Sequence, residues 1–399
     1  LKHYPTPNKN NSPYWAEFFA GGGMARAGLG SQWNCVFAND LDPHKLSSYR
    51  SNWDAEHLIP GDIAAVSPEL IPDSLDLAWA STPCQNFSSA GLGNGLLGNY
   101  SSAFLTWWNL IQTKQLTYAH PKLIVLENVR GLLKSRKGED FRTLAESFAK
   151  AGYSFGVVLV DAIHFLPQSR PRIFIVAVRE DQHIPNFLYN NIPNPTWHPS
   201  DLVEAVANLP TFIRDRHIWW EMPIPSQPRP TLAALLENDA THWHSLSQTQ
   251  KLLESMSPSH CNKIRTAIES GIPSVGTLFR RMRPHEGKTR SFTEVRFDGV
   301  AGCLRASDGG SSRQMLIFVN GESIKTRHMT SREAARLMGL PDEYQLPNIK
   351  THAVKLIGDG VAVPVVKFLD DHLLSKLAIA SHRFSSRTSK SHSSLSVTR

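Results

Sequence analysis

Cysteine is scarce and scattered in this chain of 399 residues: the four positions Cys35, Cys84, Cys261 and Cys303 form no CxxC pair and no His/Cys group at metal-ligand spacing. That pattern argues against a disulfide framework and a zinc centre, and it suits a reducing compartment. Long apolar runs are also missing. No stretch reaches membrane-spanning length, and residues 1–15 lack the apolar core of a signal peptide, so a soluble, intracellular protein is expected. A dinucleotide fingerprint lacks its third glycine, because after Gly21 and Gly23 that position holds Arg26, which disfavours a nicotinamide oxidoreductase. What is present is apolar material, 41% of residues, enough for two domains, together with a net charge of +7 that points to a polyanionic partner. Part of that charge (Arg383, Arg387, Lys390, Arg399) sits in a Ser-rich tail without acids, which reads as disordered and solvated.

The stretch from Leu77 to Gly91 (LAWASTPCQNFSSAG) joins a short apolar run to a loop carrying Pro83, Cys84 and Gln85. Leu77 to Ala80 reads as a buried strand that Pro83 cannot continue. Ligands bind just past such strand ends in open α/β sheets. Cys84 is therefore either a nucleophile presented to a cleft or a small buried hydrophobe, and the loop alone leaves both open. Upstream, Tyr14 to Ala20, Gly21-Gly22-Gly23 and MARAGLG read as strand, glycine turn and helix, the opening of a nucleotide-binding unit. The next strand, Cys35 to Asp40, ends in an acid where a ribose hydroxyl would be gripped, and Asp62 follows another short segment; a turn or cap role is the alternative for each.

Past Cys84, the Gly/Ser-rich stretch Ser88 to Tyr100 reads as a mobile lid or a plain surface connection. A helix, SAFLTWWNLIQTKQL, leads to a strand, Leu123 to Leu126, that delivers Glu127 and Asn128 to the same sheet edge, where a carboxylate suits an acid or proton-sharing donor. VVLV and RIFIVAV read as an antiparallel pair joined by PQSRP. Gln168, Arg170 and Arg172 then lie on a tight loop or strand start suited to anionic or carbonyl oxygens, or on an exposed turn.

From about Asp181 prolines become dense and the strand–helix alternation ends. Between Arg280 and Arg296, the bases Arg280, Arg281, Arg283, Lys288, Arg290 and Arg296 face only Glu286 and Glu294, which marks a place for phosphate contacts. GCLRASDGGSSRQMLIFVNG reads as two short strands around a loop with Arg305, Arg313 and Gln314, side chains suited to guanine and adenine edges. In MTSREAARLMGLPDEYQL, Thr330 or Ser331 caps an amphipathic helix that Gly339 and Pro341 end, and GDGVAVP is expected to start a further helix.

Taken in order, FFAGGG, PCQNFS, ENV, QSRPR, REAARLMGLPD and GDGVAVP resemble the motif series of the DNA cytosine-5 methyltransferases, over most of residues 14–180 and 325–372. The resemblance implies a Rossmann-like α/β methyltransferase domain with an inserted, smaller, irregular target recognition domain. The expected boundaries are an N-terminal extension at 1–13, a catalytic part at 14–184, target recognition at 185–325, a return to the catalytic domain at 326–376 and a tail at 377–399. It implies S-adenosylmethionine as cofactor and no metal. Phe19 would stack on adenine, Ala20, Gly21 and Gly23 would lie under the methionine end, and Asp40 with Leu41 would meet the ribose. Asp62 with Ile63 would lie near the adenine amine, and Pro83, Asp359, Gly360 and Val361 would complete the site.

For the reaction, the resemblance implies that Cys84 adds to C6 of cytosine while Glu127 protonates N3 and Arg172 holds the base, with Pro83, Gln85, Asn128, Gln168 and Arg170 in support. The base would be flipped out of the duplex and covered by the lid that starts at Ser88. Two departures stand out: Thr82 where the family often has Phe, and Asp359 where it commonly has Asn, the latter adding negative charge near the cofactor. A zinc-deaminase reading of Pro83-Cys84 fails for want of a second cysteine and an upstream HxE. The expected partner is double-stranded DNA, bound by a monomer on the cytoplasmic nucleoid, with a restriction endonuclease as a functional rather than physical companion. A tRNA cytosine-5 methyltransferase and a catalytically silent DNA-binding protein of the same fold are the rival readings.

Overall fold

The computed structural model describes residues 12–83, 102–115, 120–285, 288–305 and 313–380. Cys84, Gln85, Ser88 and the rest of the expected lid lie outside the described residues, as do the N-terminal extension up to residue 11 and the tail from residue 381. The chain divides into two compact units: one holds the described parts of Leu1–Val160, Pro171–Ile224 and Val365–Arg399, the other Asp161–Arg170 and Pro225–Pro364.

The first unit opens with β1 (Tyr14–Phe18), α1 (Met24–Leu29), β2 (Asn34–Asp40), α2 (Pro43–Asn52), β3 (Leu58–Pro60) and β4 (Leu77–Ser81). It continues with α3 (Ser102–Gln115), β5 (Leu123–Val129), α4 (Glu139–Lys150), β6 (Tyr153–Asp161) and β7 (Pro171–Arg179), and then β8 (Tyr189–Asn190), α5 (Ser200–Ala207), α6 (Thr211–Arg214) and β9 (Trp219–Trp220). The main sheet runs β3-β2-β1-β4-β5-β7-β6. β3, β2, β1, β4 and β5 run parallel to one another, whereas β7 is antiparallel to β5.

This order follows from the sequence. LAWA, LIVL and IFIVAV are buried almost without interruption, as strands covered on both faces must be. On one face, Ala16, Phe18, Ala78, Ala80, Ile124 and Leu126 pack with Phe104, Trp107 and Trp108 of α3 and Phe141, Leu144 and Phe148 of α4. The strand order reverses between β1 and β4, which opens a crevice beyond their carboxyl ends.

The second unit contains α7 (Leu246–Glu254), α8 (Pro258–Glu269), β10 (Ser274–His285), β11 (Lys288–Arg296), β12 (Met315–Asn320), β13 (Ser323–His328), α9 (Ser331–Arg336) and α10 (Lys350–Asp359). Its strands form a four-stranded antiparallel sheet in the order β11-β10-β12-β13, more regular than the proline density suggests. Leu278, Val295, Met315 and Ile317 on one face pack with Leu252 and Ile264 of α7 and α8. GCLR (302–305) does not form the expected first strand; the residue before it, Ala301, makes an isolated bridge to Gln168.

The Thr330 side chain accepts the Glu333 amide and the Glu333 side chain accepts the Thr330 amide, so a capping box starts α9 as expected. GDGVAVP does not start a helix at its first glycine. Gly358 and Asp359 close α10, Gly360 follows as an extended residue, and α11 (Val363–Leu369) starts beside Pro364, where a missing N–H costs nothing.

Candidate active site

The glycine turn follows β1 directly. Phe19 has φ 58 and Gly21 φ 59, and the left-handed conformation at Phe19 is costly for a residue with a side chain. Backbone bonds hold the turn: Ala20 donates to the Asn39 carbonyl and Gly23 to the Ala20 carbonyl. Asp40, at the end of β2, accepts the Gly21 N–H at 2.8 Å through Oδ2 and the Asp42 N–H at 2.8 Å through Oδ1. Its carboxylate thus ties the glycine turn to the next strand end.

From below, the Trp53 indole donates to the Gly22 carbonyl at 2.9 Å, and the Arg26 guanidinium lies over the Trp53 ring at 5.0 Å. A Cβ at Gly23 would overlap that indole, whereas one at Gly21 would meet open space. Asp62 accepts the Ala64 N–H at 2.9 Å and remains exposed, Ile63 is buried, and Leu41 presents an apolar side chain that is 64% exposed. Open space over a glycine backbone, an exposed leucine and two acids past neighbouring strand ends suit a ligand with a cationic chain and a nucleoside.

Glu17 was not singled out from sequence. It lies buried in β1 with Oε2 unpartnered. Burial pushes its carboxyl up to about 8, against the opposing pull of Arg26 and of the backbone amides of Arg26 and Ala25.

The ends of β4, β5 and β7 carry the second group. Ser81 is in register with Glu127, and Val129 with Arg172. Because β7 runs against β5, its first residues reach the edge where β5 ends. Arg172 Nε lies 3.2 Å from Glu127 Oε1, with side chains only 14% and 9% exposed. The buried Asn128 amide donates to Thr82 Oγ1 at 3.0 Å and its Oδ1 accepts the Val129 N–H at 2.8 Å. Pro83 follows, partly exposed, as the last described residue before Cys84.

The remaining candidates belong to the second unit. Gln168, fully buried, donates to the Leu337 carbonyl at 2.6 Å and accepts the Leu304 N–H at 3.2 Å. Arg170 is buried as well and donates to the carbonyls of Leu304, Gly358 and Gly360 at 2.8, 2.9 and 2.6 Å. Both are internal braces of that unit, and Arg170 fixes the turn holding Asp359, Gly360 and Val361. Asp359 is exposed and Val361 buried. Arg283 donates to Glu294 at 3.0 Å through Nε, Arg281 lies 3.7 Å from the same carboxylate, and Arg280 and Arg305 are exposed. Gln314 is buried against Gly302, with Arg313 preceding it. Among the described residues, no group of three metal-ligating side chains converges and no helix is long and apolar enough to cross a membrane.

A family model for C-5 cytosine-specific DNA methylases matches residues 15–375. The chain is 26% identical to the type II methyltransferase M.HhaI of Haemophilus parahaemolyticus, covering 90% of this chain and 94% of that one. It is 28% identical to M.NgoBI of Neisseria gonorrhoeae, covering 88% and 90%. Among solved structures, the S. pombe Dnmt2 methyltransferase superposes with a TM-score of 0.58 at 16% identity, over 90% of this chain and 97% of that one. The EhMeth methyltransferase of Entamoeba histolytica does so with 0.59 at 15%, over 92% and 99%. These structural likenesses fix the Rossmann-like methyltransferase fold, and with the match along almost its whole length the chain belongs to the C-5 cytosine-specific DNA methylase family, as a DNA cytosine-5 methyltransferase of restriction-modification type.

Proposed function

We propose that this protein methylates C5 of one cytosine, flipped out of a specific duplex DNA sequence, through a transient bond between Cys84 and C6. The observation that carries the reading is the alignment of polar groups along one edge of one sheet: the glycine turn after β1, Thr82-Pro83 after β4, and Glu127 paired with Arg172 where β5 ends and β7 begins.

Cytosine C5 is a weak nucleophile. When the Cys84 sulfur forms a bond to C6 and Glu127 moves a proton to N3, the ring becomes an enamine with electron density at C5. S-adenosylmethionine supplies the electrophilic methyl group. Loss of the C5 proton and expulsion of the Cys84 sulfur then restore the aromatic ring. Arg172, paired with Glu127, orients it and would hold the base and stabilise charge at its O2. Asn128, bonded to Thr82, sets the backbone just before Pro83; Gln85 and the stretch from Ser88, which lie outside the described residues, are assigned to supporting Cys84 and covering the base.

The cofactor would lie with its methionine end over Gly21 and Gly23, Phe19 at the adenine, Asp40 and Leu41 at the ribose, and Asp62 and Ile63 at the adenine amine; Asp359, Gly360 and Val361 are proposed as further cofactor-binding residues. Target recognition is assigned to the stretch 185–325 between catalytic parts at 14–184 and 326–376. The protein acts as a monomer, with a restriction endonuclease as a separate enzyme. Bisulfite sequencing of DNA from cells expressing the protein tests this: conversion-resistant cytosines at one recurrent sequence are expected. Complete conversion, or protection confined to tRNA, contradicts it.

A further inference from the structure

The basic block of β10 and β11 is divided by the alternation of its strands. Glu294 stands opposite Phe279, on the face that also carries Arg281, Arg283 and Arg290, and it pairs with Arg281 and Arg283. Arg280 points to the other face, the one that continues from Leu278. There the sheet ends in a different set of groups. His328 is in register with Met315, which faces Leu278 across the next pair, and Arg313 lies two residues before Met315. The ladder persists that far, since Met329 donates to the Gln314 carbonyl at 3.2 Å.

His244 joins from the segment before α7. Its ring stands edge-on to His328 at 4.9 Å, its backbone N–H donates to the Thr326 carbonyl and its Nδ1 lies 3.0 Å from Thr326 Oγ1. Lys350 opens α10, whose first turn has no acidic residue and no side-chain cap.

Among the described residues no carboxylate pairs with Arg280, Arg313 or Lys350, and Arg313 Nε and His328 Nδ1 are buried without partners. Burial and then the charges on His244, Lys350, Arg313 and Arg280 lower the His328 imidazole to about 4. His328 thus stays neutral near pH 7, and burial with the charges of Arg280 and Lys350 lowers His244 as well, which limits repulsion among the cations. A buried guanidinium N–H without a partner, beside cations that no described carboxylate pairs, suits an anion with several acceptor oxygens.

We propose that Arg280, Arg313 and Lys350, flanked by His244 and His328, form a pocket for one phosphodiester group of the DNA backbone. The proposal rests on the reading of the chain as a duplex-DNA methyltransferase and adds His244, His328 and Lys350 to it. The pocket positions the second unit on DNA and carries no sequence information.

The test is binding of a labelled duplex by fluorescence anisotropy over a range of KCl concentrations, with wild type, Arg313→Gln, Lys350→Gln and, as a charge-matched control on exposed α8, Arg265→Gln. Each pocket variant should weaken binding to cognate and unrelated duplexes alike and flatten the slope of log K against log salt by about one, while the control keeps the wild-type slope. Inorganic phosphate at matched ionic strength should compete with DNA for wild type more than for the variants. Unchanged slopes in both variants, a loss confined to one DNA sequence, or phosphate binding without any effect of the variants on DNA affinity would each overturn the pocket. Methyl transfer by wild type, measured in parallel, separates the two claims: intact transfer with unchanged slopes sinks the pocket alone, and salt-sensitive binding without transfer sinks the reaction alone.

Discussion

The side-chain amide of Asn128 donates to the hydroxyl of Thr82 at 3.0 Å, and both residues are buried. This bond spans the ends of two parallel strands and fixes the backbone one residue before Pro83. The position where the family often has Phe is therefore occupied here by a group with a hydrogen-bonding task.

Thr82→Val keeps the shape and removes the hydroxyl acceptor. The Thr82 carbonyl at 3.4 Å remains an acceptor for the Asn128 amide, so losing the hydroxyl bond costs about 1 kcal/mol, visible as a lower urea midpoint with the same m-value. Methyl transfer should fall more in kcat than in KM for cofactor, because the backbone that leads into Cys84 loses that bond at Thr82. An unchanged midpoint and rate would show that water or a neighbour replaces the hydroxyl.

The Glu127–Arg172 pair is largely buried, so removing one partner takes the ion pair away from a charge held out of water. Arg172→Gln is expected to destabilise the fold by about 3–5 kcal/mol, and the double variant Glu127→Gln/Arg172→Gln to recover much of that. Glu127→Gln alone should lower the methylation rate by about 100-fold to 10,000-fold, the range for a lost proton-transfer group. A rate close to wild type would remove Glu127 from the proton path.

Glu17 makes a prediction about pH. Its carboxyl is held up to about 8 by burial, against an ordinary 4.5, so the folded state favours the protonated form. The stability linked to that proton is full below about pH 4.5 and is lost as the pH rises through about 8. Glu17→Gln, which keeps the shape without the charge, should melt higher than wild type at about pH 8, with the advantage shrinking toward about pH 5. A constant difference across that range would contradict the buried, protonating carboxyl.

The opposite dependence is expected from His198 and His217, which pack edge-on against Trp219. Burial lowers them to about 4 and about 3. Stability held above their ordinary value near 6.5 is lost as the pH falls through the folded values. His217→Phe should reduce the loss of stability between about pH 7 and about pH 4, read from denaturant midpoints. The same loss in the variant would place the acid sensitivity elsewhere.

Much of the sheet was legible because strands buried on both faces leave unbroken apolar runs; LAWA and LIVL end in the polar residues that matter, and IFIVAV begins just after Arg172. The capping box at Thr330 and Glu333 was legible for a similar reason, since its partners are three residues apart. Arg170 shows where such reading stops. Its partners at Leu304, Gly358 and Gly360 are more than a hundred positions away, and nothing local distinguishes a buried brace from a side chain facing substrate. Glu17 was missed because a carboxylate within an apolar strand carries no periodic signal. The face-splitting of Arg280 from Arg281 and Arg283 needed the register with Glu294, which the proline-rich composition concealed.

The central claim is the sulfur–carbon bond. Incubating the protein with cofactor and a duplex containing 5-fluorocytosine at the target position should yield a protein–DNA complex that survives denaturant, because fluorine at C5 removes the proton whose loss releases Cys84. Cys84→Ala should form no such complex and transfer no methyl group, while still binding the duplex. Methyl transfer at the wild-type rate by Cys84→Ala, or an equally stable adduct in its absence, would contradict the account.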